Sequence, residues 1–154
     1  MDSLLKPTER ELIITRDLNA PREQVFAAWT DPERATAWWA PAAFTLLRCE
    51  MDVRPGGQWL RSMKSASGAV FVKHGVYRDV VAPEKLSFTY NTEDEKGVVD
   101  PETLVTITLV DLGNNRTRLT LHHTGFETVP ARDDHGGGWS GAMDRLMIFC
   151  AEAL

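Results

Sequence analysis

The sequence predicts an α+β domain in which a strongly curved antiparallel sheet of about six to seven strands wraps around one long C-terminal helix. Between residues 44 and 124, short runs of alternating apolar and polar residues are separated by Gly, Pro and Asn, which is typical of an antiparallel meander. From residue 139 to residue 154 the apolar spacing becomes helical. Two short helices are predicted after the first strand. In this order of elements, the long helix covers the apolar face of the sheet.

The first fifty residues predict one strand and two helices. Residues 1–8 are interpreted as a flexible tail, and residues 9–154 as a single domain. A strand is predicted over 9–18. Asn19 or Ala20 then caps a helix that has Pro21 in its first turn, where a missing N–H costs nothing. Asp31 is the predicted N-cap of a second short helix that stops at Pro41.

A meander of six strands follows. Gly56 and Gly57 are predicted to form a two-residue hairpin turn with positive φ angles, after Pro55 has ended the strand. A second turn is predicted at 65–68, and the polar segment 91–100 is interpreted as a loop. The predicted strands cover 44–53, 59–63, 69–80, 85–90, 102–111 and 116–124.

The C-terminal part of the chain is predicted to be a loop and then a helix. Residues 125–138 end in three consecutive glycines and are interpreted as a loop, with the helix beginning at Trp139. A sixteen-residue helix is about 24 Å long and can cross one face of a sheet. Because a curved sheet and a straight helix cannot touch everywhere, we expect a cavity between them. The predicted apolar stripe of the helix consists of Trp139, Met143, Leu146, Met147 and Cys150.

The composition and net charge of the chain argue against some classes of function. The chain has 154 residues and a net charge of −5, which argues against nucleic acid or an anionic membrane as the main partner. No run of eighteen apolar residues and no signal peptide is present, so no membrane insertion and a cytoplasmic location are predicted. Cys49 and Cys150 lie in apolar surroundings and are interpreted as reduced, buried thiols. The sequence indicates no cofactor, and it leaves both a monomer and a homodimer open.

Several short segments, in their order and spacing, carry a family resemblance that extends from about residue 10 to residue 154. They are VFAAWT at 25–30, WWAP at 38–41, DVRPGGQW at 52–59, HGVY at 74–77, PEKLSFTY at 83–90, TRLTL at 117–121, TGF at 124–126 and GW at 138–139. With these segments the chain resembles the START-like (SRPBCC) superfamily with the helix-grip, or Bet v 1-like, fold. More closely it is similar to the AHSA1-like family, related to the activator of Hsp90 ATPase.

The resemblance implies a cavity between the sheet and the C-terminal helix that holds a small hydrophobic ligand, lipid-like or aromatic. It also leaves two other functions open: a cyclase or hydrolase-type enzyme, and a stress-response module that associates with a chaperone of the Hsp90 type. Because one fold can serve several functions, the choice among these three depends on the individual residues of the site. The predicted lining consists of Trp38, Trp39, Trp59, Met63, Phe71, Tyr77, Phe88, Tyr90, Ile107, Leu121, His123, Trp139, Met143 and Met147.

His123 and Tyr77 are the best candidates for an acid or a base if the protein is an enzyme. His122 and His123 are consecutive on a strand and therefore point to opposite faces, and His123 shares the parity of Leu119 and Leu121. The alternative is a structural histidine that is hydrogen-bonded within the core. No HxH or HxxxH pattern is present, so no metal site is predicted. A nucleophile elbow is also missing.

Two further features have both a structural and a functional interpretation. The glycines at 136–138 either bind an anion through their amides or let the chain approach the sheet closely. Asp52 and Arg54 share one side of a strand, and Arg61 follows beyond the glycine turn. These charges either form a salt bridge that pins the hairpin, or place an arginine against a ligand carboxylate.

Overall fold

The architecture is seven strands and three helices, seen in a computed structural model that describes residues 10–41 and 43–152. The predicted tail at 1–8 lies outside the described residues. In chain order the elements are β1 (Glu11–Leu18), α1 (Arg22–Thr30), α2 (Pro32–Trp38), β2 (Thr45–Met51), β3 (Gln58–Lys64), β4 (Val70–Val81), β5 (Lys85–Glu93), β6 (Thr103–Gly113), β7 (Arg116–Thr124) and α3 (Val129–Glu152).

All seven strands form one antiparallel sheet in the order β1-β7-β6-β5-β4-β3-β2. Neighbours in sequence are neighbours in space from β2 to β7, which is the predicted meander. The first strand closes the far edge by pairing with β7, where Leu12 lies opposite His123. The predicted fold class is confirmed: a curved antiparallel sheet, two short helices after the first strand and one long C-terminal helix.

The connection between β2 and β3 differs from the predicted two-residue turn. Gly57 N–H donates to the carbonyl of Arg54 at 2.8 Å, so Pro55 and Gly56 are the central residues of a four-residue turn. Only Gly56 has a positive φ, +84°, as the third residue of a type II turn requires. A Cβ on Gly57 would lie 1.9 Å from the carbonyl oxygen of Asp52. The second glycine is therefore needed for a close backbone approach and not for its φ angle.

The two short helices lie where the sequence predicts them, but the predicted N-cap of α1 at Asn19 or Ala20 is wrong. Pro21 precedes α1 and takes the N-cap position itself, with no side-chain cap. The predicted cap of α2 is confirmed, because the Asp31 carboxylate accepts a hydrogen bond from the Glu33 N–H at 3.1 Å. The two helices lie under α3 and bring Trp29 and Trp38 into edge-to-face contact, with ring centroids 4.8 Å apart.

The long helix begins ten residues before its predicted start. Thr128 caps it by accepting a hydrogen bond from Ala131 N–H at 3.1 Å, and Pro130 lies in the first turn. The glycines at 136–138, which the sequence assigned to a loop, are helical. A Cβ on Gly136 would lie 3.3 Å from Leu12 of β1, so this glycine lets the helix approach the sheet, while nothing lies within 4 Å of a Cβ on Gly137 or Gly138.

The hydrophobic core lies between the sheet and the three helices. Each strand from β3 to β7 directs alternate side chains inward, and α3 adds a buried stripe. Within the described residues no helix is both long and apolar enough to cross a membrane. Both cysteines are free; Cys150 is buried, whereas Cys49 is only half-buried. The buried positions of α3 are Trp139, Ala142, Met143, Leu146 and Cys150.

Candidate functional site

A cavity of about 310 Å³ lies between α3 and the β3–β5 region of the sheet. It forms where the helix diverges from the curved sheet and where the segment after α2 crosses the gap. Exposed Asp134 and Gly138 belong to its wall, so the cavity reaches the surface along the N-terminal half of α3. The complete lining is Trp39, Pro41, Phe44, Met63, Phe71, Lys73, Tyr90, Asp134, His135, Gly138, Trp139, Ala142 and Arg145.

The structure divides the predicted lining residues into three groups. Trp39, Met63, Phe71, Tyr90 and Trp139 line the cavity. Met147 is 36% exposed and lies away from the cavity. The rest are buried in the core without lining the cavity, and they are Trp38, Trp59, Tyr77, Phe88, Ile107, Leu121, His123 and Met143.

Tight packing explains why Trp38 and Trp59 do not line the cavity. The Trp38 indole N–H donates to the carbonyl of Ala28 at 2.9 Å, which holds the ring in the core. The Trp59 indole N–H donates to the carbonyl of Thr89 at 3.1 Å. Its ring passes over Gly75, where a Cβ would lie 2.7 Å from the indole nitrogen. Both rings are therefore held inside the fold by buried hydrogen bonds.

The sequence interpretation missed the polar part of the lining. Asp134, His135 and Gly138 lie on the helical turns before Ala142 and Arg145, so they share one face of α3. Placing the helix start at Trp139 concealed this face. The Thr-Val-Pro cap at 128–130 is the sequence feature that could have revealed it. Lys73 could have been found by its parity with Phe71 and Tyr77, which places it on the inner face of β4.

His123 is the centre of a buried hydrogen-bond network. Its ring is 0% exposed. The Trp139 indole N–H donates to Nδ1 of His123 at 3.0 Å. On the other side, Nε2 lies 2.6 Å from the hydroxyl of Thr103, which itself donates to the carbonyl of Tyr90 at 2.8 Å. Because that hydroxyl proton is already used, Nε2 carries the ring proton and donates it to Thr103.

This network makes His123 a structural residue. Burial is the main cause that lowers the pKa of His123 to about 3, and electrostatic repulsion from the neighbouring basic side chains, Lys73 among them, acts in the same direction. The neutral ring has one lone pair, at Nδ1, and the indole of Trp139 occupies it. A general base needs a free lone pair within reach of a substrate proton. In this arrangement His123 does not offer one.

Tyr77 is equally unsuited to proton transfer near neutral pH. Burial raises its pKa to about 12, although the positive charge of Arg61 opposes this shift. Its ring packs edge-on against Phe88 in the core, with centroids 6.1 Å apart. The side chain is 2% exposed and does not line the cavity.

Lys73 is one of two cations in the cavity wall, with Arg145. Its ammonium group donates to the Thr92 hydroxyl at 2.9 Å and lies 5.7 Å from the centroid of the Tyr90 ring. Desolvation lowers the pKa of Lys73, and the carboxylate of Asp100 opposes this shift. A lysine held in this way has donors left for a ligand, because an ammonium group carries three N–H bonds.

Arg145 lines the cavity and makes hydrogen bonds to the end of α2. Its guanidinium donates to the carbonyls of Trp38 at 2.8 Å and Trp39 at 3.0 Å. These are carbonyls at the C-terminal end of α2, where no intrahelical donor is available and positive charge is favourable. Arg145 thereby ties α3 to α2 and fixes the position of the Trp39 ring in the cavity wall.

The arginines near the glycine turn have different environments. Arg54 forms the predicted pair with Asp52, at 2.9 Å, on the surface. Arg61 is only 3% exposed and lies between two indoles, with its guanidinium carbon 4.8 Å from the Trp39 ring centroid and 5.4 Å from that of Trp59.

Within 10–41 and 43–152, no group of three or more His, Cys, Asp or Glu side chains could hold a metal ion.

Comparison with known proteins identifies the family. The family model described as Activator of Hsp90 ATPase homolog 1-like protein matches residues 19–149. No curated protein matches the chain. Among solved structures, the AHSA1 protein from Silicibacter pomeroyi is 22% identical, with a TM-score of 0.82, and the match covers 94% of this chain and 99% of that one.

Two further solved structures are as similar in fold. A protein from Arthrobacter aurescens is 25% identical with a TM-score of 0.80, over 96% of this chain and 90% of that one. A protein from Chromobacterium violaceum is 25% identical with a TM-score of 0.79, over 92% of this chain and 97% of that one. The shared architecture is the helix-grip fold that the sequence predicted. Since the family model spans most of the sequence, this chain belongs to the activator of Hsp90 ATPase homolog 1-like family.

Proposed function

We propose that this protein binds a small, mostly apolar molecule in the cavity between α3 and the sheet. The observation that carries the proposal is the size and lining of that cavity. A volume of about 310 Å³ is bordered by five aromatic rings, of Trp39, Phe44, Phe71, Tyr90 and Trp139, and by the apolar side chains of Met63 and Ala142. Ligand pockets in proteins are generally concave and apolar with a few polar groups, which is the composition found here.

Binding is favoured over catalysis by the state of the two candidate acid–base residues. His123 uses both ring nitrogens in buried hydrogen bonds, and burial raises the pKa of Tyr77 to about 12. Neither residue lines the cavity. A cyclase or hydrolase that depends on either side chain would have to rearrange its core before it could transfer a proton.

A neutral fluorescent probe tests the proposal. Phenylnaphthylamine gains fluorescence in apolar surroundings, so titration into the protein reports occupation of the cavity. We expect saturable binding and a rise in melting temperature at excess probe, because a ligand that binds the native state stabilises it. Ala142→Leu places a larger side chain in the cavity wall and should abolish saturable binding. Gly138→Leu, at the surface end of the cavity, is the second blocking variant.

Ala37→Leu is the matched control, since it makes the same chemical change at an exposed position of α2. It should bind the probe like the wild type. The proposal fails if the wild type gives neither saturable fluorescence nor a melting shift. It also fails if both blocking variants, folded by circular dichroism, bind the probe with unchanged affinity.

Association with a chaperone is the second candidate function, and the family description favours it. We propose it as an alternative that a purified Hsp90 can test directly. Co-sedimentation of the two proteins, with and without ATP, should show a complex if this function holds. Absence of a complex at concentrations of about 100 μM would exclude an association with a Kd well below that concentration.

A further inference from the structure

We propose that the ligand of the cavity carries an acidic group, a carboxylate or a similar oxyanion, which pairs with Lys73 in the field of Arg61. This inference rests on the proposed binding function and specifies the class of ligand. It follows from the register of two neighbouring strands and from the charges that surround them.

The pairing of β3 with β4 places two cations side by side. Arg61 lies directly opposite Lys73 in this antiparallel pair. Directly opposite residues have Cβ atoms roughly 5 Å apart and point to the same face. Here that face is the inner one, because the pairs on either side are Trp59 with Gly75 and Met63 with Phe71. From this shared row the two head groups diverge, with the Lys73 ammonium at Thr92 of β5 and the Arg61 guanidinium near Met51 of β2.

The described part of the chain supplies only a partial counter-charge to this pair. No carboxylate there lies within ion-pairing distance of either side chain. Asp100 is the acid whose charge acts on Lys73, and its carboxylate already accepts the Thr92 N–H at 2.6 Å. The inner row across the sheet continues to Cys49 of β2 on one side and to Thr92 of β5 on the other.

Arg61 is incompletely paired as well. Its Nε is buried and has no hydrogen-bond partner among residues 10–41 and 43–152. Among the described residues, the guanidinium makes one hydrogen-bond contact, with the sulfur of Met51 at 3.6 Å. Burying a charge without a partner is costly, and proteins generally pair buried charges or keep them for a function. The two indole faces offset part of this cost through cation–π attraction.

The two cations have different places around the cavity. Lys73 belongs to the cavity wall and has N–H donors left after its bond to Thr92. Arg61 lies behind the Trp39 ring and contributes positive potential without touching the space. The other cation of the wall, Arg145, directs its Nε and Nη2 donors to the two carbonyls at the end of α2, whereas the Lys73 ammonium bonds to a single hydroxyl. An acidic group in the cavity would therefore bind to Lys73, while its apolar body rests on the aromatic rings.

Two probes that share one skeleton separate charge from apolar contact. Anilinonaphthalene sulfonate is phenylnaphthylamine with an added sulfonate, so the difference in their affinities measures the effect of the anion. We expect the wild type to bind the sulfonate at least about ten-fold tighter than the neutral probe, in line with a charge-assisted hydrogen bond. Lys73→Met should remove this preference, so that the two probes bind with affinities within about two-fold of each other, since they share the same apolar contacts.

Three variants complete the experiment. Lys73→Arg keeps the positive charge and should retain most of the preference. Lys73→Gln replaces Lys73→Met if the methionine variant does not fold. Lys96→Met makes the same change on an exposed loop and should behave like the wild type. If the neutral probe binds and Lys73→Met keeps the wild-type preference, or if the wild type has no preference, this inference is overturned alone. If neither probe binds, the proposed function itself is overturned.

Discussion

The indole N–H of Trp139 donates a hydrogen bond to Nδ1 of His123, 3.0 Å away, in the buried interior between α3 and β7. This contact determines the tautomer of the imidazole and joins the long helix to the sheet next to the cavity. It also changes the interpretation of His123. The sequence suggests this side chain as an acid or a base, whereas in the structure it is part of the buried core. Two predictions follow from it.

The first prediction concerns pH. Burial lowers the pKa of His123 to about 3, while an unfolded histidine titrates near 6.5. As the pH falls below about 6.5, His123 becomes protonated in the unfolded chain but stays neutral in the folded one. Falling pH therefore favours unfolding. We expect His123 to contribute a loss of up to about 1.4 kcal/mol in unfolding free energy per pH unit over this range. Urea denaturation from about pH 7 to about pH 5 measures it.

His123→Gln should show a shallower pH dependence, because glutamine does not titrate. His122→Gln is the matched control: His122 lies next to it on the opposite face, pairs with Glu11 and is partly exposed. This control should keep most of the wild-type slope. Equal slopes for His123→Gln and the wild type would contradict the prediction.

The second prediction concerns the indole itself. Trp139→Phe removes the donor and leaves Nδ1 of His123 buried without a partner, which costs about 1–3 kcal/mol. Trp29→Phe is the control, because the Trp29 indole N–H is buried with no partner among the described residues. Both variants lose similar ring volume, so the difference between their unfolding free energies isolates the hydrogen bond. We expect Trp139→Phe to be the less stable of the two; equal stability would refute this.

The third prediction uses the glycines. A Cβ at Gly137 meets nothing within 4 Å, and the residue is helical, so Gly137→Ala should raise the unfolding free energy by about 0.5–1 kcal/mol. At Gly57 a Cβ would lie 1.9 Å from the backbone oxygen of Asp52. Gly57→Ala should therefore lower the melting temperature sharply. Thermal unfolding followed by circular dichroism compares them, and a stabilised Gly57→Ala would contradict this account of the turn.

The fourth prediction concerns the link between α2 and α3. Arg145→Met keeps the aliphatic stem but leaves the carbonyls of Trp38 and Trp39 without their donor. We expect a loss of about 2 kcal/mol in unfolding free energy, as for a charged hydrogen bond. Arg34→Met, which removes an exposed contact with Asp31, should change stability by less than about 0.5 kcal/mol. Similar losses for the two variants would argue against the structural role of Arg145.

The fifth prediction concerns Lys73 without a ligand. Removing the desolvated charge of Lys73 should leave the free energy of unfolding unchanged or raise it by up to about 1 kcal/mol, since replacing a buried charge by an apolar group is often stabilising. Lys73→Met preserves the packing of the stem, and Lys96→Met serves as the surface control. Chemical denaturation of the purified variants gives the comparison. A loss above about 1 kcal/mol for Lys73→Met alone would indicate a structural role instead.

Local patterns in the sequence determined the elements and their order. Alternation located the six strands of the meander, Asp31 marked the start of α2, and the parity of Leu119, Leu121 and His123 placed them on the inner face. These features depend on neighbours a few residues apart, which is why the sequence alone shows them. The fold class and the family resemblance followed from the same short segments. The start of α3 was missed because three glycines outweighed the cap at Thr128.

Only the tertiary structure decided which of the inward-facing side chains line the cavity. Trp59 and Trp39 are both buried indoles, yet one fills the core and the other borders the cavity, because the gap between sheet and helix depends on packing across the whole chain. The same is true of Arg61 and Lys73. They are twelve residues apart in sequence, and only the register of β3 on β4 makes them neighbours, with no carboxylate of the described residues at ion-pairing distance from either. Long-range packing and register set this geometry, and neither follows from local spacing.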